Sequence, residues 1–415
     1  MSDSAADIRR TNTFDVIRTI HALPQATRKV IATENNLSVA TVSSIIADLI
    51  GSDLVREIGI RRQTTGRPTA QLALNPDHGI LLGVDIAETY VHVDTFDSSL
   101  QLLSSTELPL DPHQNGARSV ASKISDAISQ ELNRSERQIL PVLGIGVSAP
   151  GQVDQVGGTS VFAPNWDWHN VPLLALLRNA VDAPLVLDNP LKAITIAELW
   201  SESGRSVSNF AVLNIGTGVG AGIALGGKIY RGRTNSAGEW GHTVIVADGR
   251  ACRCGSRGCI EAYIGAPGIM QSLREIAPTS NLLLGGDQTA TLHRLRHALD
   301  DGDPIAAQIV ERTGYFLGIG IANLINILNP ERVVLGGWVV DTLGEYLLDA
   351  ARPHMDSHAL ATPALASRLD IQKITGNAVS LGAATLAFER YYLDSMNGVP
   401  FSERTSSFSQ PNVAS

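Results

Sequence analysis

The sequence changes its pattern near residue 79, and this change is the strongest constraint on the fold. Before it, short helical patterns are separated by breaks; after it, strand-like runs alternate with helical stretches. Such alternation predicts an α/β fold, and a chain of 415 residues is too long for one core. The predicted boundaries are 1–75 for a head, 76–200 for a first lobe, 201–395 for a second lobe whose final helix packs back on the first, and 396–415 for a disordered tail.

The head has the pattern of three helices followed by two strands. Apolar residues recur at helical spacing in the first and third patterns, which end at Pro24 and Gly51, and Ser38 is a favourable N-cap for the third. The strand-like runs 54–60 and 69–74 are joined by the polar loop RRQTTGRP. This order is typical of a winged helix-turn-helix, whose third helix enters the major groove of DNA. The alternative is a three-helix packing unit that binds no nucleic acid.

The distribution of charge agrees with contact to DNA through the head alone. Up to Asn75 there are nine Arg and Lys against seven Asp and Glu, so the head carries +2 and the remainder −11 of the net −9. A mildly basic head on an acidic body suits this interpretation, although asymmetries of this size are common. No segment has the length and apolar composition of a signal peptide or a membrane span, so we expect a cytoplasmic protein that is not associated with a membrane.

A cysteine cluster gives the strongest local signal. The three cysteines of the chain all lie in the stretch GHTVIVADGRACRCGSRGCIEAY. Cys252, Cys254 and Cys259 with His242 form a ligand set that is suited to a tetrahedral zinc ion. Four protein ligands leave no position for an activated water, so the predicted Zn²⁺ is structural. The alternative is a reduced, buried cluster without a metal.

The stretches NNLSVATVSSIIADLIGSDLVREIG and TGRPTAQLALNPDHGILLGVDI resemble the N-terminal part of repressors of the ROK family, and the resemblance continues to about residue 390. It implies an N-terminal winged helix-turn-helix and a two-lobed, actin-like sugar-kinase body of the ribonuclease H type. It also implies contacts to double-stranded operator DNA from the recognition helix and from a phosphate-binding arginine: Ser38, Ala40, Thr41, Ser44 and Arg28. The exposed positions of this helix carry no Lys or Arg for a bidentate contact to guanine. The wing arginines Arg61, Arg62 and Arg67 are therefore further candidates, with a solvated surface role as the alternative.

The same resemblance implies a set of residues that contact sugar hydroxyls: Asn165, Asn189, Glu239, His242 and Glu261. The chemistry is reasonable, because a carboxylate accepts two hydroxyl hydrogen bonds and a bound metal fixes the histidine ring. For Glu239 or Glu261 taken alone, a surface salt bridge is the alternative.

Three phosphotransfer motifs of the family can be compared with this chain. The first phosphate loop reads DIAET, in which Ala87 and Glu88 replace glycines and disfavour phosphate. Pro190 occupies the position of the catalytic aspartate, and proline cannot accept a proton from a sugar hydroxyl. The second glycine loop, GTGVG from Gly216, is intact, and Gly336-Gly337 resembles the adenosine-side turn. Two motifs are therefore damaged, which predicts that kinase activity is lost.

These observations predict a sugar-responsive repressor, a homodimer or homotetramer, and not an enzyme. Lys192, near the predicted sugar site, suggests a sugar phosphate as an alternative to a free sugar. Two other functions stay open. One is an active ATP-dependent sugar kinase of the same family, and the other is a repressor controlled by a protein partner.

Overall fold

The computed structural model describes residues 5–23, 25–61, 69–111, 115–134, 139–204 and 207–397. The chain divides into two compact units. Unit 1 comprises Met1–Ser206 and Ile374–Ser415, and unit 2 comprises Val207–Lys373.

The head of unit 1 contains three helices and a small sheet. Its elements are α1 (Ala5–Ala22), β1 (Ala26–Thr27), α2 (Arg28–Glu34), α3 (Val39–Gly51), β2 (Val55–Arg61) and β3 (Thr69–Leu74). The strand order is β1-β3-β2, with β2 and β3 antiparallel. The Ser38 hydroxyl accepts a hydrogen bond from the backbone N–H of Thr41 and caps α3, as the sequence predicts. Val42, Ile45 and Leu49 of α3 are buried, so one face of the helix packs inward and the other stays available.

The body of unit 1 is built on a five-stranded mixed sheet. Its strands are β4 (Ile80–Ala87), β5 (Tyr90–Asp97), β6 (Leu102–Pro109), β7 (Val142–Ser148) and β11 (Leu185–Asp188), in the order β11-β7-β4-β5-β6. A second sheet contains β8 (Gln152–Asp154), β9 (Thr159–Ala163) and β10 (Trp168–Val171). The helices are α4 (Ala117–Arg134), α5 (Leu173–Arg178) and α6 (Pro190–Trp200).

A late segment of the chain completes unit 1. Helix α13 (Ala378–Met396) packs against β4, β7 and α6. Its close approach requires glycine in the sheet. A Cβ atom at Gly83 would lie 1.8 Å from the carbonyl oxygen of Ser380, and one at Gly146 would lie 1.8 Å from that of Ala383. The backbone of α13 therefore rests directly on the two central strands.

Unit 2 repeats the strand order of unit 1. Its strands are β12 (Phe210–Ile215), β13 (Val219–Leu225), β14 (Lys228–Ile229), β15 (Arg332–Gly336) and β16 (Arg368–Ile371), in the order β14-β13-β12-β15-β16. The helices are α7 (Glu261–Ile264), α8 (Ala266–Ile276), α9 (Gln288–Asp300), α10 (Pro304–Leu328), α11 (Trp338–His358) and α12 (Ala361–Ala366). In each unit three antiparallel strands are followed by two parallel strands. The predicted α/β fold is confirmed.

Across the described residues, no helix combines the length and the apolar composition that crossing a membrane requires.

Candidate effector and DNA-binding sites

The predicted recognition residues lie at the start of α3. Ser38, Ala40 and Ser44 are exposed, whereas Thr41 is half-buried. The Ser38 hydroxyl lies 2.8 Å from the Thr41 hydroxyl and also caps the helix. Ala40 and Ser44 are therefore the two positions of this set whose side chains are not engaged at the N-cap.

Arg28, the predicted phosphate contact, forms an ion pair within the head. Its Nη2 atom lies 3.0 Å from Oε1 of Glu57 on β2. The side chain of Arg61 and the whole of Arg62 and Arg67 lie outside the described residues. The predicted roles of these four arginines in DNA binding stay predictions.

A residue that the sequence did not single out lies beside α3, the predicted recognition helix. Arg9 of α1 forms an ion pair with Asp48, and its Nη2 atom lies 3.5 Å from the Ser44 hydroxyl. Helix α3 lacks cationic residues of its own, so α1 supplies a cation at its flank. Only the tertiary fold shows this, because Arg9 and Asp48 are 39 positions apart in the sequence.

Helix α1 also contacts the body of unit 1. The His21 ring lies 5.6 Å from the Trp200 ring of α6, and His21 Nδ1 lies 3.1 Å from the Ser99 carbonyl oxygen. Phe14 meets Tyr392 of α13 edge to face, at 5.8 Å between ring centroids. Burial lowers the pKa of His21, which favours a neutral ring at this junction. Helix α1 thus contacts α3 and two helices of the body, α6 and α13.

The predicted metal ligands of unit 2 converge. One donor atom from each of His242, Cys252, Cys254 and Cys259 lies within 4.8 Å of the others. The Cys252 Sγ to His242 Nδ1 distance is 3.7 Å and the Cys254 Sγ to Cys259 Sγ distance is 3.8 Å. A tetrahedral zinc ion with Zn–S bonds of about 2.3 Å and Zn–N bonds of about 2.0 Å separates its ligands by similar distances.

The local backbone explains how a short segment brings three sulfur atoms together. Gly258 has φ +77°, and a Cβ there would lie 1.8 Å from the carbonyl oxygen of Val246. Burial raises the pKa of Cys252 to about 12 and also raises the pKa of Cys259. Thiolates at these positions therefore need a cation beside them, and a divalent metal fits this requirement.

Two carboxylates flank the metal cluster. Because Nδ1 of His242 faces the cysteines, its Nε2 atom is directed away from them and lies 4.0 Å from Oε2 of Glu239. Oε2 of Glu261 accepts a hydrogen bond of 3.0 Å from the backbone N–H of Val219, and its Oε1 lies 3.6 Å from Cys252 Sγ. The structure thus brings the three predicted sugar-binding residues of unit 2 together.

The other two predicted sugar-binding residues belong to unit 1. The Asn165 amide donates a hydrogen bond of 2.8 Å to Glu88 in the first phosphate loop. Asn189 is buried, and its Oδ1 atom caps α6 by accepting from the backbone N–H of Lys192 at 3.0 Å. Lys192 is itself fully buried, so its burial does not favour direct contact with an anionic ligand.

The first phosphate loop is occupied by contacts within the protein. Asp85 is buried, and its Oδ2 atom accepts hydrogen bonds from the Asn377 amide at 2.9 Å and the Tyr90 hydroxyl at 3.3 Å. Burial raises the pKa of Asp85, with the two hydrogen bonds acting in the opposite direction. This carboxylate serves to join β4 to α13.

Pro190, at the position that the family resemblance assigns to the catalytic base, is the first residue of α6. The neighbouring carboxylate of Asp188 is 1% exposed. Its Oδ1 accepts from the backbone N–H of Asn189 at 2.9 Å, and its Oδ2 accepts from the Gln155 amide at 3.3 Å. Asp188 is thus held in a buried network instead of presenting a base to solvent.

The second glycine loop connects β12 and β13. The Thr217 hydroxyl donates to the Gln288 side chain at 3.1 Å, and the Thr217 carbonyl oxygen accepts from Arg253 at 2.8 Å. Gly216 lies against Trp338: a Cβ atom at Gly216 would lie 3.0 Å from the indole ring. The intact motif therefore has a structural role in this fold.

The model of the ROK family matches residues 81–390 of the chain. The chain belongs to the ROK family. A xylose repressor of Caldicellulosiruptor bescii is 26% identical over 383 residues, which cover 91% of this chain and 96% of the repressor. A glucokinase of Halalkalibacterium halodurans is 31% identical over 311 residues, which cover 74% of this chain and 94% of the kinase.

A solved structure agrees with the fold. A ROK family transcriptional regulator, described as a homologue of the E. coli MLC protein, superposes with a TM-score of 0.77 at 24% identity, covering 95% of this chain and 99% of that one. The predicted family and fold class are confirmed. The repressor and the regulator match nearly the whole chain, whereas the kinase matches three quarters of it.

Proposed function

We propose that this ROK protein is a sugar-responsive, DNA-binding transcriptional regulator that represses carbohydrate-metabolism genes and has lost kinase activity. One observation carries the proposal. Pro190 stands where the family has its catalytic base, while Glu239, His242 and Glu261 remain grouped at the metal cluster. A chain that keeps sugar-binding groups without a base can bind sugar but cannot activate its hydroxyl.

The metal cluster supports a structural Zn²⁺ bound by His242, Cys252, Cys254 and Cys259. When bound, zinc would hold the imidazole of His242 in one orientation. The chain supplies the remaining contacts itself: Nε2 of His242 and the carboxylates of Glu239 and Glu261 hydrogen-bond the sugar hydroxyls. In unit 1, we assign the same role to Asn165 and Asn189.

The fold of the head supports binding to operator DNA, which would take place in the cytoplasm. We assign base-edge contacts to Ser38, Ala40, Thr41 and Ser44, and phosphate or minor-groove contacts to Arg28, Arg61, Arg62 and Arg67. Since a winged helix-turn-helix reads one half-site, a homodimer or homotetramer would set the spacing between two half-sites.

A continuous set of contacts within unit 1 supports coupling between effector and DNA. Helix α6 begins next to Asn189 and ends at Trp200, which packs on His21 of α1. The same α1 places Arg9 against Asp48 of α3. An effector that displaces α6 would therefore change the position of the recognition helix, and DNA would change effector affinity by the same factor.

Gel shifts on the promoter region of the protein's own gene, with and without a panel of sugars, test this function. We expect a specific complex whose dissociation constant changes at least about fivefold with one sugar of the panel. The rival function is an active sugar kinase, which the intact second glycine loop favours. A coupled ADP-release assay distinguishes the two, because turnover above about 1 s⁻¹ would place the protein among ordinary enzymes and contradict the proposal.

A further inference from the structure

Val39, the first residue of α3, is more exposed than its place in the sequence predicts. It precedes Val42 by three positions and Ile46 by seven, which is the spacing of side chains on one face of a helix. Val42 and Ile46 are fully buried, whereas Val39 is 51% exposed. A branched apolar side chain therefore lies open to solvent at the start of the predicted recognition helix.

The hydroxyl groups of the predicted base-contacting residues already have partners within the head. The Ser38 hydroxyl accepts from the backbone N–H of Thr41 and lies 2.8 Å from the Thr41 hydroxyl. The Ser44 hydroxyl accepts from Nη2 of Arg9 at 3.5 Å. Hydrogen bonds from these groups to bases would have to be shared with the internal ones. An apolar contact from the neighbouring Val39 involves no such competition.

The charge of the head indicates what kind of molecule Val39 can meet. Nine Arg and Lys against seven Asp and Glu give residues 1–75 a net charge of +2, whereas the rest of the chain carries −11. A polyanion that also presents apolar groups complements a basic head with an exposed valine. Duplex DNA is such a polyanion, because the 5-methyl groups of thymine project into its major groove. The N-terminal residues of a recognition helix are the ones that reach base edges there.

We infer that Val39 determines part of the operator sequence by packing on the 5-methyl group of a thymine in the major groove. This inference rests on the proposed DNA-binding function and adds a residue to it. The contact needs neither a cation nor a hydrogen-bond donor from α3. It also distinguishes thymine from cytosine, because cytosine has only a hydrogen atom on C5 and leaves the valine without its partner.

Quantitative gel shifts with the full chain and its metal test the inference on two forms of one duplex. The duplex is the promoter region of the protein's own gene, amplified with either dTTP or dUTP. The uracil form lacks the thymine methyl groups and keeps every base pair. We expect the wild type to bind the thymine form at least about fourfold more tightly, since burial of one methyl group contributes about that factor. Val39→Ala should bind the thymine form at least about threefold more weakly than the wild type does and prefer it over the uracil form by less than about twofold.

Ile50→Ala is the matched control. Ile50 is a branched apolar residue of the same helix and is 37% exposed. It lies on nearly the same side of α3 as Val39 but about 16 Å further along the helix axis. This variant should keep the preference of the wild type, and so should Val39→Ile, which retains a branched side chain. An unchanged preference in Val39→Ala, or an equal loss in Ile50→Ala, would overturn the role of Val39.

The failure of this inference is distinguishable from that of the proposed function. A wild type that binds the two forms equally overturns the contact between Val39 and thymine and leaves a DNA-binding regulator. A wild type that binds neither form, with or without any sugar of the panel, overturns both.

Discussion

The metal cluster of unit 2 and the predicted phosphotransfer positions of unit 1 differ in how their polar groups are used. At the cluster, four ligands and two carboxylates are present and face one another. At the phosphotransfer positions, each polar group has become a partner of another group within the protein, as Asp85 has with Asn377 and Asp188 has with Gln155. Under the proposed function, binding and chemistry depend on different residues, so a chain can keep the first without the second.

Loss of a metal ligand should have the largest effect. Cys259→Ser removes a fully buried sulfur ligand. We expect zinc content to fall below one per chain and the thermal midpoint to fall by about 10 °C or more, because metal binding contributes directly to folding. Elemental analysis and calorimetric melting measure both quantities. Arg257→Gln, at an exposed position of the same loop, should change neither quantity. A metal-free variant that melts like the wild type would contradict a structural ion.

Loss of a carboxylate at the cluster should have the next largest effect, and it should act on ligand affinity instead of stability. Glu239 is partly exposed, so Glu239→Gln can fold normally. We expect sugar affinity to fall about 10- to 100-fold, as is usual for a lost hydrogen bond to a charged group. Calorimetry measures the change, with Glu345→Gln on the exposed side of α11 as the control. An unchanged affinity would remove Glu239 from the site.

A carboxylate introduced at the predicted base position tests whether the phosphotransfer positions of unit 1 can still support kinase activity. Pro190→Asp should not produce kinase turnover, because Asp85 and Asp188 remain engaged in buried hydrogen bonds. We expect an ADP-release rate indistinguishable from that of the wild type, well below about 1 s⁻¹. Turnover in the variant would mean that a single substitution separates a regulator from a sugar kinase. It would also mean that the buried contacts of Asp85 and Asp188 do not prevent phosphotransfer.

Loss of Arg28 in the head should lower DNA affinity moderately, and by the same factor for every DNA sequence. Arg28→Ala should weaken binding to every duplex and reduce the slope of log affinity against log salt by about 1, as expected for one lost phosphate contact. Glu57→Gln removes the ion-pair partner of Arg28 and should strengthen binding slightly. Fluorescence anisotropy over a salt series measures both. An unchanged slope in Arg28→Ala would exclude a phosphate contact.

The smallest expected effect is a dependence of stability on pH in unit 1. A hydrogen bond to Asp94, aided by Glu107 and Asp85, raises the pKa of His92 from 6.5 to about 9 despite partial burial. Because the folded state binds this proton more tightly, the stabilisation is complete below pH 6.5 and is lost as pH rises through 9. We expect the melting midpoint of the wild type to fall by a few degrees more than that of His92→Gln between pH 6.5 and 9.5. Parallel curves for the two proteins would show that this network does not contribute to stability.

The sequence predicted those features that depend on local pattern. The four candidate metal ligands follow from their spacing in the sequence, and the N-cap of α3 from one serine before an apolar period. The start of α2 at Arg28 does not follow from the local pattern, because β1 pairs with β3 and leaves Thr27 to cap the helix. Propensity alone does not reveal a two-residue strand whose partner lies about 45 positions away.

Contacts between distant polar groups could not be predicted. Neither the ion pair of Arg9 with Asp48 nor the hydrogen bond of Asn165 to Glu88 leaves a periodic signal, since each joins partly exposed positions on separate elements. The sequence did show that Glu88 had replaced a glycine. It could not show that the new carboxylate reaches a predicted effector residue.

The return of α13 to unit 1 has a consequence for how the protein is made. Ribosomes deliver β4 and β7 well before α13, so the two central strands wait with one face uncovered while all of unit 2 is translated. Tyr392 of α13, the partner of Phe14, also emerges only then. Until that moment a nascent chain holds a head that is incompletely anchored to its body, and interrupted synthesis would leave fragments without this contact.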